Sequence, residues 1–97
     1  MRVISRRALI DFYKKYPRAK SPLEAWLKET KEAKWKGPPD IKNKFCSASI
    51  LKGGRVVFNI GGNKYRLVTW INFQCGIVYI KFVGTHSEYN KVKVEEV

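Results

Sequence analysis

The chain of 97 residues holds one histidine, and the side chains near it decide what chemistry is open to it. His86 sits in the run Thr85-His86-Ser87-Glu88-Tyr89, directly after Gly84, with Lys91 two residues past Tyr89. Asn63, Lys64 and Arg66 lie on an upstream hairpin that returns toward it. One His, one Tyr, one Arg and nearby Lys can do one reaction well without a metal, the cleavage of RNA by its own 2′-hydroxyl. A base takes the 2′-OH proton, cations stabilise the phosphorane-like charge, and an acid protonates the leaving 5′-oxygen. Histidine changes charge near neutral pH, so it suits either proton role. Arginine offers a planar fork to phosphate oxygens. Tyrosine can stack on a base or donate a proton. The plainer alternative is that His86 only caps a last helix beside Thr85.

Other catalytic sets are missing. The chain has no paired-carboxylate motif, no phosphate loop, no G-x-S-x-G and no second histidine for a metal site. No cofactor is expected. Cys46 and Cys75 are far apart and match no metal spacing, so they read as two free thiols. No apolar run reaches the length of a membrane span, and the N-terminus lacks the apolar stretch of a signal peptide. The expectation is a cytoplasmic protein of one domain, residues 1–97.

The charge narrows the partners. Twenty basic against eight acidic residues leave +12 on a small chain, an excess that opposes compaction. Residues 1–50 carry thirteen basic and five acidic groups, and residues 51–97 carry seven and three. Such a surface fits a polyanion: nucleic acid, an anionic membrane or an acidic protein. The competing readings are a catalyst acting on RNA, a non-catalytic RNA- or ribosome-binding module, and an interaction protein for an acidic partner. His86 at a strand exit favours the first, since a pure binder does not need it.

The elements that would position these groups are three strands. Arg55–Ile60 is followed by Gly61-Gly62-Asn63, which tolerate the positive φ of a tight hairpin. Lys64–Phe73 is rich in aromatic and β-branched residues. After Gln74-Cys75-Gly76 comes Ile77–Val83, which Gly84 is expected to break. Thr85 and Glu88 stand at capping-box spacing, so a short helix should start at the histidine. Tyr65, Leu67, Thr69, Ile71 and Phe73 share one apolar face, and Arg66, Val68, Trp70 and Asn72 share the other. Strict alternation in the third strand sets Ile77, Tyr79, Lys81 and Val83 against Val78, Ile80 and Phe82.

Upstream lie the covering elements. Arg2–Ile4 is a short extended piece. Ser5 suits the N-cap of a helix over Arg6–Tyr16, with Leu9, Phe12, Tyr13 and Tyr16 on one face and Pro17 at its end. Ser21-Pro22-Leu23-Glu24 marks a second helix from Pro22 to about Trp35. Asp40–Phe45 reads either as a helical turn or as a loop. Ser47–Leu51 reads as a further strand, and Lys91–Val97 as an edge strand, a helix continuation or a frayed end. The fold class is α+β, with helices on one face of an antiparallel sheet and the other face at least partly open.

Two runs carry a resemblance. VVFNIGGNKYRLV (Val56–Val68) and VGTHSEYNKV (Val83–Val92), together with the opening ISRRALIDFYKKYPRAKSPLEAW, resemble the HigB-type toxins of bacterial type II toxin–antitoxin modules. The most specific parts are F-N-x-G-G-N-x-x-R (Phe58–Arg66) and T-H-x-E-Y (Thr85–Tyr89). The resemblance implies a RelE-like fold, two N-terminal helices on a curved antiparallel sheet of three to four strands, with a short C-terminal helix. It implies an endoribonuclease that cuts mRNA on the ribosome. It also implies a cognate HigA-type helix-turn-helix antitoxin, with operator DNA bound only through the complex. The expected catalytic residues are His86, Arg66 and Tyr89, with Lys64, Asn63, Lys91 and Arg55 as RNA contacts. No membrane partner is expected.

Overall fold

Tyr65–Asn72 forms the middle of the sheet, paired along its whole length by the strand on one side and over Tyr65–Trp70 by the strand on the other. In the computed structural model, which describes residues 1–97 apart from the side chain of Glu95, this strand is β4. The chain order is β1 (Arg2–Ile4), α1 (Arg7–Lys15), α2 (Lys20–Glu32), α3 (Pro38–Lys44), β2 (Ser49–Ile50), β3 (Arg55–Ile60), β4, β5 (Ile77–Thr85) and α4 (His86–Asn90). The sheet has five strands in the order β1-β5-β4-β3-β2. β2 through β5 are antiparallel neighbours, whereas β1 runs parallel to β5. The sheet is therefore mixed, which corrects the expectation of three to four antiparallel strands. β1 is only three residues long, and its partner lies at the far end of the sequence. Nothing local in it announces that pairing.

The helices begin and end where backbone chemistry allows. Tyr16 caps α1 with φ −124° and ψ 83°, outside the helical region that a following proline disfavours. Ser5 is not the N-cap: it takes a positive φ of 72°, and the helix starts after Arg6 with no side-chain cap. Asp11 pairs with Arg7 at 3.2 Å. The Ser21-Pro22 start is overridden as well. Pro17 already opens a 3₁₀ turn over Pro17–Ala19 that feeds directly into α2 at Lys20, so Ser21 lies inside the helix. The ambiguous stretch after Pro38-Pro39 is a helix, α3, which buries Ile41 completely.

One sheet face carries the core. Val56, Phe58 and Ile60 of β3, Leu67 and Ile71 of β4, and Val78 and Ile80 of β5 pack with Leu9 and Phe12 of α1 and Leu23 and Trp26 of α2. Phe58 is 1% exposed and meets three rings: Phe45 at 5.2 Å and Trp26 at 5.3 Å edge-on, and Trp35 at 6.3 Å stacked. The opposite face is built in three rows. Arg55, Trp70 and Tyr79 form one; Val57, Val68 and Phe82 the next; Asn59, Arg66 and Gly84 the last.

β5 departs from strict alternation. Phe82 pairs with Val68 while Ile80 pairs with the adjacent Thr69, so Lys81 is left over as a bulge. The extra residue moves Phe82 onto the open face and turns Val83 toward the core, the reverse of their expected sides. Gly84 does not break the strand; it pairs with Arg66 inside it.

Because Phe58 is the joint between α2, α3 and β3, Phe58→Ala should destabilise the protein by about 3–5 kcal/mol. Chemical denaturation monitored by tryptophan emission checks this; a loss below about 1 kcal/mol would mean the ring cluster is not the core's centre.

Candidate active site

The last residue of β5 ends the sheet and starts a helix in one step. Thr85 Oγ1 accepts a hydrogen bond from the Glu88 N–H at 3.2 Å, and Glu88 Oε1 accepts one from the Thr85 N–H at 2.8 Å. This reciprocal pair is the capping box that the spacing indicated. The hydrogen bond from the Thr85 N–H, opposed by partial desolvation and aided by the Thr85 hydroxyl and by Lys15 and Lys91, holds the Glu88 carboxyl below the ordinary value of 4.5. Glu88 is thus an ionised brace at neutral pH, not a proton donor.

His86 is the first residue of α4 and is exposed. Its N–H donates to the Lys64 carbonyl at 3.0 Å, which ties α4 to the start of β4. Its Nδ1 lies 3.3 Å from the Asn90 side-chain amide, four residues on and one turn away. By turning its amide, Asn90 can donate to the neutral ring or accept from the protonated one. The i, i+4 spacing of His86 and Asn90 was the available sequence signal for this partner.

Arg66 reaches the same end of the sheet through the ladder, in which it faces Gly84, two residues before the histidine. Its Nη1 donates to the carbonyls of Asn63 at 3.1 Å and Tyr65 at 3.2 Å, so the hairpin backbone sets the guanidinium's direction. The only ion pairs among the described residues are Arg7–Asp11 and Lys44–Glu29, so Arg66 is not neutralised there. Lys64 and Asn63 occupy the exposed hairpin, and Lys91 is the exposed cap of α4. Tyr89 is half-buried and three residues past His86, on the same side of the short helix.

Six of the seven expected residues therefore gather at one end of β4 and β5. Arg55 does not join them. It begins β3 beside Trp70, roughly 16 Å of strand from the Ile60 end, and its Nη2 donates to the Val97 carbonyl at 3.2 Å. Among the described residues no three His, Cys, Asp or Glu side chains come together to hold a metal ion. Both cysteines are free and exposed. Among the described residues no helix is long and apolar enough to cross a membrane.

Residues 19–92 match the family model of HigB_toxin, the RelE-like toxic component of a toxin–antitoxin system. The chain belongs to the HigB toxin family. It is 36% identical over 92 residues to the mRNA interferase toxin HigB of Escherichia coli K12, an alignment spanning 93% of this chain and 88% of that one. The mRNA interferase HigB of Shigella flexneri matches to the same extent. The mRNA interferase HigB of Escherichia coli O6:H1 is 27% identical over 94 residues, covering 95% and 91% of the two chains. The alignments span nearly the whole HigB-like chain, including the β3–β4 hairpin and the strand-to-helix corner that carry the candidate residues.

Thr85→Ala removes one half of the capping box and should cost about 1 kcal/mol, felt first in α4. Amide exchange at Glu88 and Lys91 is the readout. The box also depends on pH. Because folding lowers the Glu88 pKa, its contribution is complete above the ordinary glutamate value and fades as pH falls through the lowered one. Protection of the Thr85 amide, its exchange rate relative to the intrinsic rate at each pH, should fall in that acid window in the wild type and stay constant there in Glu88→Gln.

Proposed function

We propose that this HigB family member is the toxin of a type II module that cuts mRNA on the ribosome and so inhibits translation. The observation that carries the proposal is the junction itself. The only histidine, exposed at a strand exit, stands two residues past Gly84, the ladder partner of an arginine whose charge no described carboxylate neutralises. The relatives are named mRNA interferases, the same reaction class.

The reaction forms one bond and breaks another. The 2′-oxygen of the upstream nucleotide attacks the adjacent phosphorus as its proton leaves to a base. The bond from phosphorus to the 5′-oxygen then breaks, and that oxygen takes a proton from an acid. The products are a 2′,3′-cyclic phosphate and a 5′-hydroxyl. His86 transfers a proton, and Asn90 keeps its ring oriented in both charge states. Arg66 holds the scissile phosphate through Nη2 and Nε, which have no partner among the described residues. Tyr89 positions a base or shares the proton work. Lys64 and Lys91 add positive field, and Asn63 braces the hairpin through its carbonyl. Arg55 meets RNA further along the same face, beside Trp70.

The excess of +12 suits a protein that must work among ribosomal phosphates. In this reading the chain is one RelE-like domain acting in the cytoplasm. A cognate HigA-type helix-turn-helix antitoxin neutralises it, and operator DNA is met only through that complex.

Induced expression in a bacterial host, followed by primer extension on an abundant message, tests the assignment. Wild type should arrest growth and leave discrete cuts in translated regions. His86→Gln should do neither while keeping its melting temperature, and Arg66→Ala should cut at least about a hundredfold more slowly. Undiminished toxicity in His86→Gln would remove the histidine from the chemistry, and unchanged cleavage in Arg66→Ala would remove the phosphate role. If wild type cuts no RNA, the non-catalytic binding module becomes the better reading.

A further inference from the structure

The bulge at Lys81 has an outcome that the site above does not use. It delivers Phe82, which alternation would send into the core, to the open face in the row next to Arg66. Gly84 then receives the ring. A methyl group added at Gly84 would stand 2.6 Å from Phe82 Cζ and 2.9 Å from Cε2, closer than atoms can approach. The tip of the ring therefore lies directly over the Gly84 backbone. Gly84 has no positive φ, so its conformation does not call for glycine. What needs glycine is the space that the ring takes up.

These two departures from an ordinary strand, a bulge and an interior glycine, together produce one result. A partly exposed aromatic ring lies on the open face in the row next to Arg66, its tip over Gly84, which is two residues before His86. Bulges near functional sites commonly re-aim a side chain in this way. A π-face next to a cation that grips a phosphate is the arrangement on which single-stranded RNA stacks its bases. The other aromatic residues of this face are engaged elsewhere. Trp70 Nε1 donates to the Gly53 carbonyl at 2.6 Å, its ring packs on Tyr79 at 5.1 Å, and Lys81 Nζ lies 5.7 Å from the Tyr79 ring.

We propose that Phe82 is the platform for the nucleobase flanking the phosphate held by Arg66, with Gly84 leaving the space that the tip of the ring occupies. The proposal rests on the nuclease reading and adds a positioning residue to it. Phe82 also neighbours Val68, which is fully buried, so a covering role must be separated from a stacking one. Leucine keeps the cover and removes the π-face; tryptophan keeps the π-face.

The test is cleavage of a defined message on programmed ribosomes by wild type, Phe82→Leu, Phe82→Trp, Gly84→Ala and His86→Gln, each with its melting temperature. Phe82→Leu should melt like wild type and raise KM on the order of tenfold with kcat nearly unchanged. Phe82→Trp should restore KM, and Gly84→Ala, which lifts the ring, should raise it. An unchanged KM in Phe82→Leu, or a Phe82→Trp as impaired as Phe82→Leu, overturns the platform while wild-type cleavage leaves the nuclease standing. If wild type itself does not cut, the platform loses its substrate and falls with that reading. His86→Gln should lose kcat, which separates the proton step from the stacking step in one assay.

Discussion

A backbone hydrogen bond from the His86 N–H to the Lys64 carbonyl, 3.0 Å long, carries the β4–β5 pairing one step beyond its last ladder residues, Tyr65 and Thr85. Without it the chain would leave the sheet at Thr85 with a helix of only five residues to hold it, too short to be stable by itself. With it, the first turn of α4 stays in register with the hairpin that carries Asn63, Lys64 and Arg66. The capping box acts on the same point from the other side, since both of its hydrogen bonds close around Thr85. Position here comes from backbone and capping contacts, which leaves Nε2 of His86 and Nη2 and Nε of Arg66 without a partner among the described residues.

The rest of the fold serves that register. β4 is the central strand, and it is held in depth by Leu67 and Ile71 on the helix side and by Val68 on the other, all nearly or fully buried. α1 and α2 cover one face and leave the other to residues that combine charge, aromatic surface and hydrogen-bonding groups. The amino nitrogen of Met1 donates to the carbonyls of Lys31 and Ala33 at the end of α2, a cation at the negative end of a helix, next to the β1 edge. The surplus of positive charge is spread over a surface with only two described ion pairs, so little of it is neutralised within the chain. That self-repulsion is a standing cost to the folded state, and binding a phosphate chain relieves it.

The legible parts of the sequence were those governed by local chemistry. Thr85 and Glu88 at the right spacing gave the helix at the histidine, Gly61-Gly62-Asn63 the hairpin, and Pro17 the end of α1. The parts that escaped were set by competition or by distance. Ser21-Pro22 is a good helix start, but Pro17 makes an earlier one, and the chain follows the first available turn. Three-residue β1 finds its parallel partner across most of the sequence, where no local pattern records it. Phe82 and Val83 were placed on the wrong sides because alternation holds only until a bulge, and a bulge at Lys81 has no mark in residue types. Of the candidate groups, His86, Arg66, Tyr89, Lys64, Asn63 and Lys91 were legible because two short runs held them. Arg55 shared their charge but not their place, and Asn90 was visible only as an i, i+4 partner.

The central claim is that RNA is cut by its own 2′-hydroxyl at the junction of His86 and Arg66. The chemistry of the cut ends tests it most directly. Purified protein would be given message on programmed ribosomes, and the new ends would be identified by enzymatic phosphorylation and ligation. The account predicts a 2′,3′-cyclic phosphate on the upstream fragment, a 5′-hydroxyl on the downstream one, and no cleavage of RNA with a 2′-O-methyl group at the cut. A 3′-hydroxyl with a 5′-phosphate, or cleavage of the methylated RNA, would contradict it, because water rather than the 2′-oxygen would then have attacked the phosphorus.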